Sequence, residues 1–189
     1  MTRNRRETAY RKSLLVAFCG VAAGLSVVLM LAGGVLQVAT FAAPLIASVL
    51  LLPVRVEFGP RAAWGTWLVS AALAVVLALD KELALFYLFI GWWPIVKWAF
   101  DARLKHRPLR MAAKLLVFAS AIAAMYALLL FVIGAPALMA ELREFGMWTA
   151  AVFFGGILIA LVLFDWLLVP LSFLYAQRVR PRLTFLRRR

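Results

Sequence analysis

LLVAFCGVAAGLSVVLMLAGGVL, Leu14–Leu36, contains no charged residue and follows the basic segment RNRRETAYRKS, Arg3–Ser13. A helix needs roughly 20 such residues to cross a hydrocarbon core about 30 Å thick. Lipid offers no hydrogen bonds to a bare backbone, so a run of this kind becomes a helix. The apolar region of a secretory leader is shorter, and the segment reads as an uncleaved span.

The same pattern continues outward from this stretch. Of the 189 residues, 66% are hydrophobic and only 15% charged, and the mean hydropathy is +0.97. A water-soluble domain lacks the polar residues to cover so much apolar surface. The charges gather in clusters, and between them lie further apolar runs. Val38–Val54 carries Pro44 and Pro53 and reads as a second span, with a kinked or re-entrant path as the alternative. Ala62–Leu79 is the third, Leu83–Phe100 the fourth with Pro94 and Lys97, Met111–Gly134 the fifth and Trp148–Tyr175 the sixth. The strict alternation of a membrane β-barrel is missing. The expected fold is therefore an all-α integral membrane bundle of about six transmembrane helices. Residues 1–13 form a basic N-terminus, 14–175 the transmembrane domain and 176–189 a basic tail.

The charges also orient the bundle. With the N-terminus inside, 19 of the 21 basic residues fall on or near the cytoplasmic side, leaving Lys81 and Arg143 outside with Asp80, Glu82, Glu141 and Glu144. This follows the positive-inside rule and places both termini in the cytoplasm. The expected location is the bacterial cytoplasmic (inner) membrane, and the lipid bilayer is the first partner.

Several function classes are excluded by what the sequence omits. The net charge of +13 flanks apolar spans and does not form one surface interleaved with aromatics, which argues against nucleic acid. One cysteine, Cys19, and one histidine, His106, allow neither an intrachain disulfide nor a zinc site. No metal or other cofactor is expected. No Gly-x-Ser-x-Gly elbow or phosphate loop is present, and the chain reads as a non-enzyme.

The candidate residues are few. Lys97, Lys114 and Asp165 are ionisable groups inside spans, where charge is expensive and partners are required. Asp165 can pair with either lysine. A structural ion pair is the preferred reading, and a proton- or ion-coupled step is the alternative. Gln37, Thr40, Tyr87 and Tyr126 lie toward the outer half and could line a ligand cavity open to the outside, or merely satisfy helix contacts. Small residues four apart, Gly20 and Gly24 with Ala22 and Ser26, Ser120 and Ala124, Ala151 and Gly155, allow close helix approach. Trp64, Trp67, Trp98 and Trp148 fall near the span ends, where such rings anchor helices at the interface.

RKSLLVAFCGVAAGLSVVLMLAGG (Arg11–Gly34) and EFGPRAAWGTWLVSAALAVVL (Glu57–Leu77) together resemble the substrate-binding S components of energy-coupling factor (ECF) transporters. Gly59, Pro60, Ala63 and Gly65 match the Gly-Pro start of their third helix. FYLFIGWWPIVKWAFDARLKHRPLRMAAKLLVFA (Phe86–Ala119) is similar to uncharacterised bacterial membrane proteins of S-component-like character. The resemblance implies capture of a small nutrient, such as a vitamin, at the outer face near Gln37, Thr40, Tyr87 and Tyr126. It implies a membrane scaffold subunit and two ATPases as partners, docked on the first helix where Gly20 and Gly24 replace the family's usual alanines. The alternative is a non-catalytic scaffold or interaction protein of the cell envelope.

Overall fold

Prolines and two glycines mark most of the helix boundaries. In a computed structural model that describes residues 2–35, 41–104, 106–130 and 136–182, with side chains at 10, 12–35, 41–104, 106–130 and 152–181, the described backbone is almost wholly helical. The helices are α1 (Thr2–Val35), α2 (Ala42–Val49), α3 (Leu51–Phe58), α4 (Pro60–Leu77), α5 (Lys81–Ile90), α6 (Trp93–Arg103), α7 (Arg107–Leu128) and α8 (Pro136–Leu174). A wide π-type turn, Tyr175–Val179, and a short tight turn, Arg180–Arg182, follow α8.

Five helical stretches among the described residues are long and apolar enough to cross a membrane: Lys12–Val35, Pro60–Leu77, Lys81–Arg103, Arg107–Leu128 and Val152–Val179. The expected second span is not one of them. It is a pair of eight-residue helices, α2 and α3, that meet at Leu50. Pro53 has no N–H for the carbonyl of Val49 and its ring crowds that carbonyl, so the helix is interrupted just ahead of it. Pro94 acts the same way on Ile90, and the fourth span is broken at Gly91–Trp92 into α5 and α6. Gly91 is required there, because a Cβ at this position would collide with the carbonyl oxygen of Tyr87 and lie 2.9 Å from its ring. The last residue of the first expected span, the first three of the second and the end of the fifth lie outside the described residues.

Three further details depart from the sequence reading. The basic N-terminal segment is helical and continuous with the first span, so α1 runs for 34 residues. The expected turn Arg55–Arg61 narrows to Gly59, whose φ of 87° suits only glycine, with Pro60 opening α4 at the position where a missing N–H costs nothing. The Asp80–Glu82 turn is a double cap. Asp80 accepts from the N–H groups of Glu82 and Leu83 at 3.0 and 3.4 Å, while Lys81 Nζ donates to the carbonyls of Val75 and Ala78 at 3.0 Å each. The starting N–H groups of α5 and the last carbonyls of α4 thereby find partners.

The described chain forms two compact units where one bundle was expected. Residues 1–96 with 174–189 make the first, and residues 97–173 the second. In the first unit α1 packs on α2, α3 and α4. The faces that meet are rich in small residues: Ala22, Ala23 and Ser26 on α1, followed by Val27 and Met30, and Ala63, Thr66, Ser70, Ala71 and Ala74 on α4. Small side chains let backbones approach closely. The large aliphatics of α4, Leu68, Val69, Leu73 and Val76, point outward, Val76 with 75% of its surface exposed. In the second unit α7 buries Lys114, Phe118, Ala121, Ile122 and Met125, while α8 buries Ile157, Leu161, Phe164, Asp165 and Leu168. Both sets recur at three and four residues, the repeat of one helical face. Lys114 and Asp165 sit within these otherwise apolar stripes.

Candidate functional site

The charged members of the two stripes meet. α6 brings Lys97, α7 brings Lys114 and α8 brings Asp165, with 2, 5 and 4% of their surfaces exposed. Lys97 Nζ donates to Asp165 Oδ1 at 2.6 Å, and Lys114 Nζ donates to Asp165 Oδ2 at 2.7 Å. Asp165 thus takes both lysines, one on each carboxylate oxygen.

A fourth member completes the group. Asp101, expected in the loop after the fourth span, lies instead in the last turn of α6. Its Oδ1 is 2.7 Å from Lys114 Nζ, and its Oδ2 is 3.6 Å from Lys97 Nζ. Oδ1 is buried and its contact with Lys114 is charge to charge, off the line that a hydrogen bond needs. Arg110 Nε approaches the same oxygen at 3.7 Å. Sequence reading missed Asp101 because DARLKHRPLR reads as one solvated charge run. The available signal was its spacing, since Lys97 and Asp101 stand four apart on a helix and therefore share a face.

Two ammonium groups and two carboxylates form an electrically neutral cluster. That is the arrangement in which buried charge is tolerated, because each ion is held by an opposite charge at short range. Its immediate effect is to tie the end of α6, α7 and α8 together.

The other candidates are placed as follows. Tyr87 on α5 is fully buried, with its hydroxyl 2.9 Å from Ser70 Oγ, and its carbonyl accepts from Trp67 Nε1 at 3.4 Å. Ser26 Oγ donates to the carbonyls of Ala22 and Ala47 at 2.9 and 3.2 Å. These groups bond helix to helix inside the first unit. Tyr126 is half-buried on α7 in the second unit. Gln37 and Thr40 lie outside the described residues, as do the side chains of Trp148 and Ala151. Gly20 and Gly24 are exposed on the side of α1 away from Ala22 and Ser26, and a Cβ at either would meet nothing within 4 Å. Ser120 and Ala124 are likewise exposed and take no part in the buried face of α7. Cys19 packs beside Ala22, Leu51, Val54, Ala63 and Ile95. Trp64 stacks on Trp92 with centroids 6.2 Å apart at 18°, and meets Trp67 edge-on at 5.2 Å.

The fold and the cluster define an all-helical protein with several long apolar helices, compatible with a multi-pass membrane protein, in which Lys97, Lys114 and Asp165 lie buried with the partly exposed Asp101 beside them. No protein-family model, curated protein or solved structure matches the chain.

Proposed function

We propose that this chain is a multi-pass protein of the bacterial cytoplasmic membrane, with both termini in the cytoplasm, that serves as the non-catalytic substrate-binding subunit of an importer of the ECF type. Membrane placement is supported by α4, which turns small residues inward and large aliphatics outward, and by the exposed aliphatics of the other long apolar helices, which in water would leave extensive sticky surface. The subunit role is carried by the two faces of α1. Ala22 and Ser26 face inward, whereas Gly20 and Gly24 leave an open, flat strip on which a partner helix can lie closely. The nutrient would enter from the outer side, toward the ends of the first and second apolar segments.

Mass spectrometry of the gently solubilised native complex tests this reading. A scaffold subunit, ATPases and a small molecule are the expected companions of the wild-type chain. Gly20→Leu with Gly24→Leu should release the protein companions while the chain keeps its thermal stability. Recovery of the chain with neither ATPases nor a small molecule, under conditions that preserve other such complexes, would overturn it.

A specific observation favours a second reading. Tyr87 is buried with its hydroxyl occupied by Ser70, so one of the four residues expected at a ligand cavity already serves packing. A scaffold of the cell envelope needs no cavity, and it predicts membrane-protein companions without a bound nutrient.

A further inference from the structure

The charge square has an open side. Lys97, Lys114, Asp101 and Asp165 form the inner wall of a cavity of about 360 Å³, and Arg107 and Arg110 stand on its rim. Four cations face two carboxylates, leaving an excess of two positive charges. The carboxylates are consumed internally, Asp165 by both lysines and Asp101 by Lys114. Arg107 is exposed and makes no ion pair among the described residues, and Arg110 reaches Asp101 only through Nε at 3.7 Å. The guanidinium groups are therefore the part of the cavity with donors to spare, and a planar fork of donors matches a phosphate.

The surroundings choose the source of that phosphate. The cavity lining includes Asp101 near the end of α6 at Arg103 and Arg107 at the start of α7, the end of two apolar helices and hence the headgroup level of a bilayer. Its remaining wall is apolar. Trp166 and Val169 line it with 62 and 55% of their surfaces exposed, and Phe173, one turn further along α8, is 63% exposed. A basic mouth that continues into an exposed aromatic and aliphatic track suits one amphiphile, with its phosphate among the arginines and its acyl chain along α8.

We propose that this cavity is a binding site for the phosphate of an anionic membrane lipid. The proposal rests on the membrane placement above, and its test separates the two. The full chain, purified in detergent, is mixed with equal amounts of phosphatidylglycerol and phosphatidylcholine, and retained lipids are counted by native mass spectrometry. The wild type should retain phosphatidylglycerol selectively. Arg107→Gln with Arg110→Gln should lower that retention about 30-fold, at roughly a factor of five per cation, whereas Arg103→Gln, outside the cavity, should keep the wild-type level. Thermal shift confirms that each variant remains folded. Equal retention of both lipids, or an unchanged double variant, overturns the proposal while the chain still requires detergent. Displacement of the lipid by millimolar inorganic phosphate, with equal stabilisation by phosphate alone, overturns the lipid as source. A chain that stays soluble without detergent removes the membrane placement itself.

Discussion

The ammonium of Lys97 lies 2.6 Å from Oδ1 of Asp165, across 68 positions of sequence, so a contact from α6 to α8 is fixed by charge. Lys114 completes it from α7, and the three helices are held at one point.

Removing one charge from this point should be costly. Asp165→Asn leaves two buried ammonium groups sharing Asp101, and should lower stability by about 3–5 kcal/mol, read as a drop in Tm in detergent. Replacing the whole square together, with Lys97→Met, Lys114→Met, Asp101→Asn and Asp165→Leu, should recover most of that loss, because no ion is then left unpaired. An Asp165→Asn chain of unchanged Tm that fails in transport would instead support an ion-coupled step.

The glycines should separate into two kinds. Gly91→Ala drives a methyl group into the Tyr87 carbonyl and ring, and an overpacked contact of this sort costs about 1–3 kcal/mol. Gly20→Ala and Gly24→Ala meet no atom within 4 Å, and in a helix interior alanine is favoured over glycine by roughly 0.5–1 kcal/mol. Thermal unfolding of the isolated chain should therefore fall for the first and hold or rise for the others. A fall for all three would mean that Gly20 and Gly24 are packed and unavailable to a partner.

Tyr87→Phe tests whether the first unit holds its polar groups for packing. Ser70 Oγ retains the carbonyls of Thr66 and Trp67 at 2.9 and 3.0 Å, so loss of the Tyr87 hydroxyl should cost only about 1 kcal/mol. Ligand retention in the native complex should not change. If retention falls while Tm holds, Tyr87 belongs to the nutrient site after all.

Topology can be read from single thiols in a Cys19→Ala background. Leu79→Cys, 83% exposed beside the Asp80 cap, should react with a membrane-impermeant maleimide on intact cells. His106→Cys, exposed between α6 and α7, should react only after permeabilisation. Labelling of both from outside, or the reverse order, contradicts the proposed orientation.

Helix positions were legible because apolar length and flanking charge need no tertiary information, and α4 and α7 begin within four residues of where their charges place them. The break at Leu50 was visible only as a pair of prolines, whose effect depends on whether neighbouring helices keep the segment straight. Lys97, Lys114 and Asp165 were found by their cost in an apolar setting. Which lysine Asp165 takes, and that Asp101 joins them, depends on how three helices are rotated, and periodicity within one helix does not report rotation against another. The same limit hid the opposite outlook of Gly20 and Ala22, two residues and about 200° apart on α1. Lys81 was legible as a charge in a turn, while its grip on the end of α4 was not, because it needs the path of the turn.

The arrangement of α1 and α4 reverses the usual rule of which positions accept change. In a protein folded by water, interior leucines and valines are the guarded sites and the outside drifts freely in chemistry. Here Leu68, Val69 and Val76 should interchange with any aliphatic of similar greasiness, while a single added methylene at Ala63, Ala71 or Ala74 would pry the helices apart. A saturation screen should accordingly find the tightest constraint on the smallest side chains.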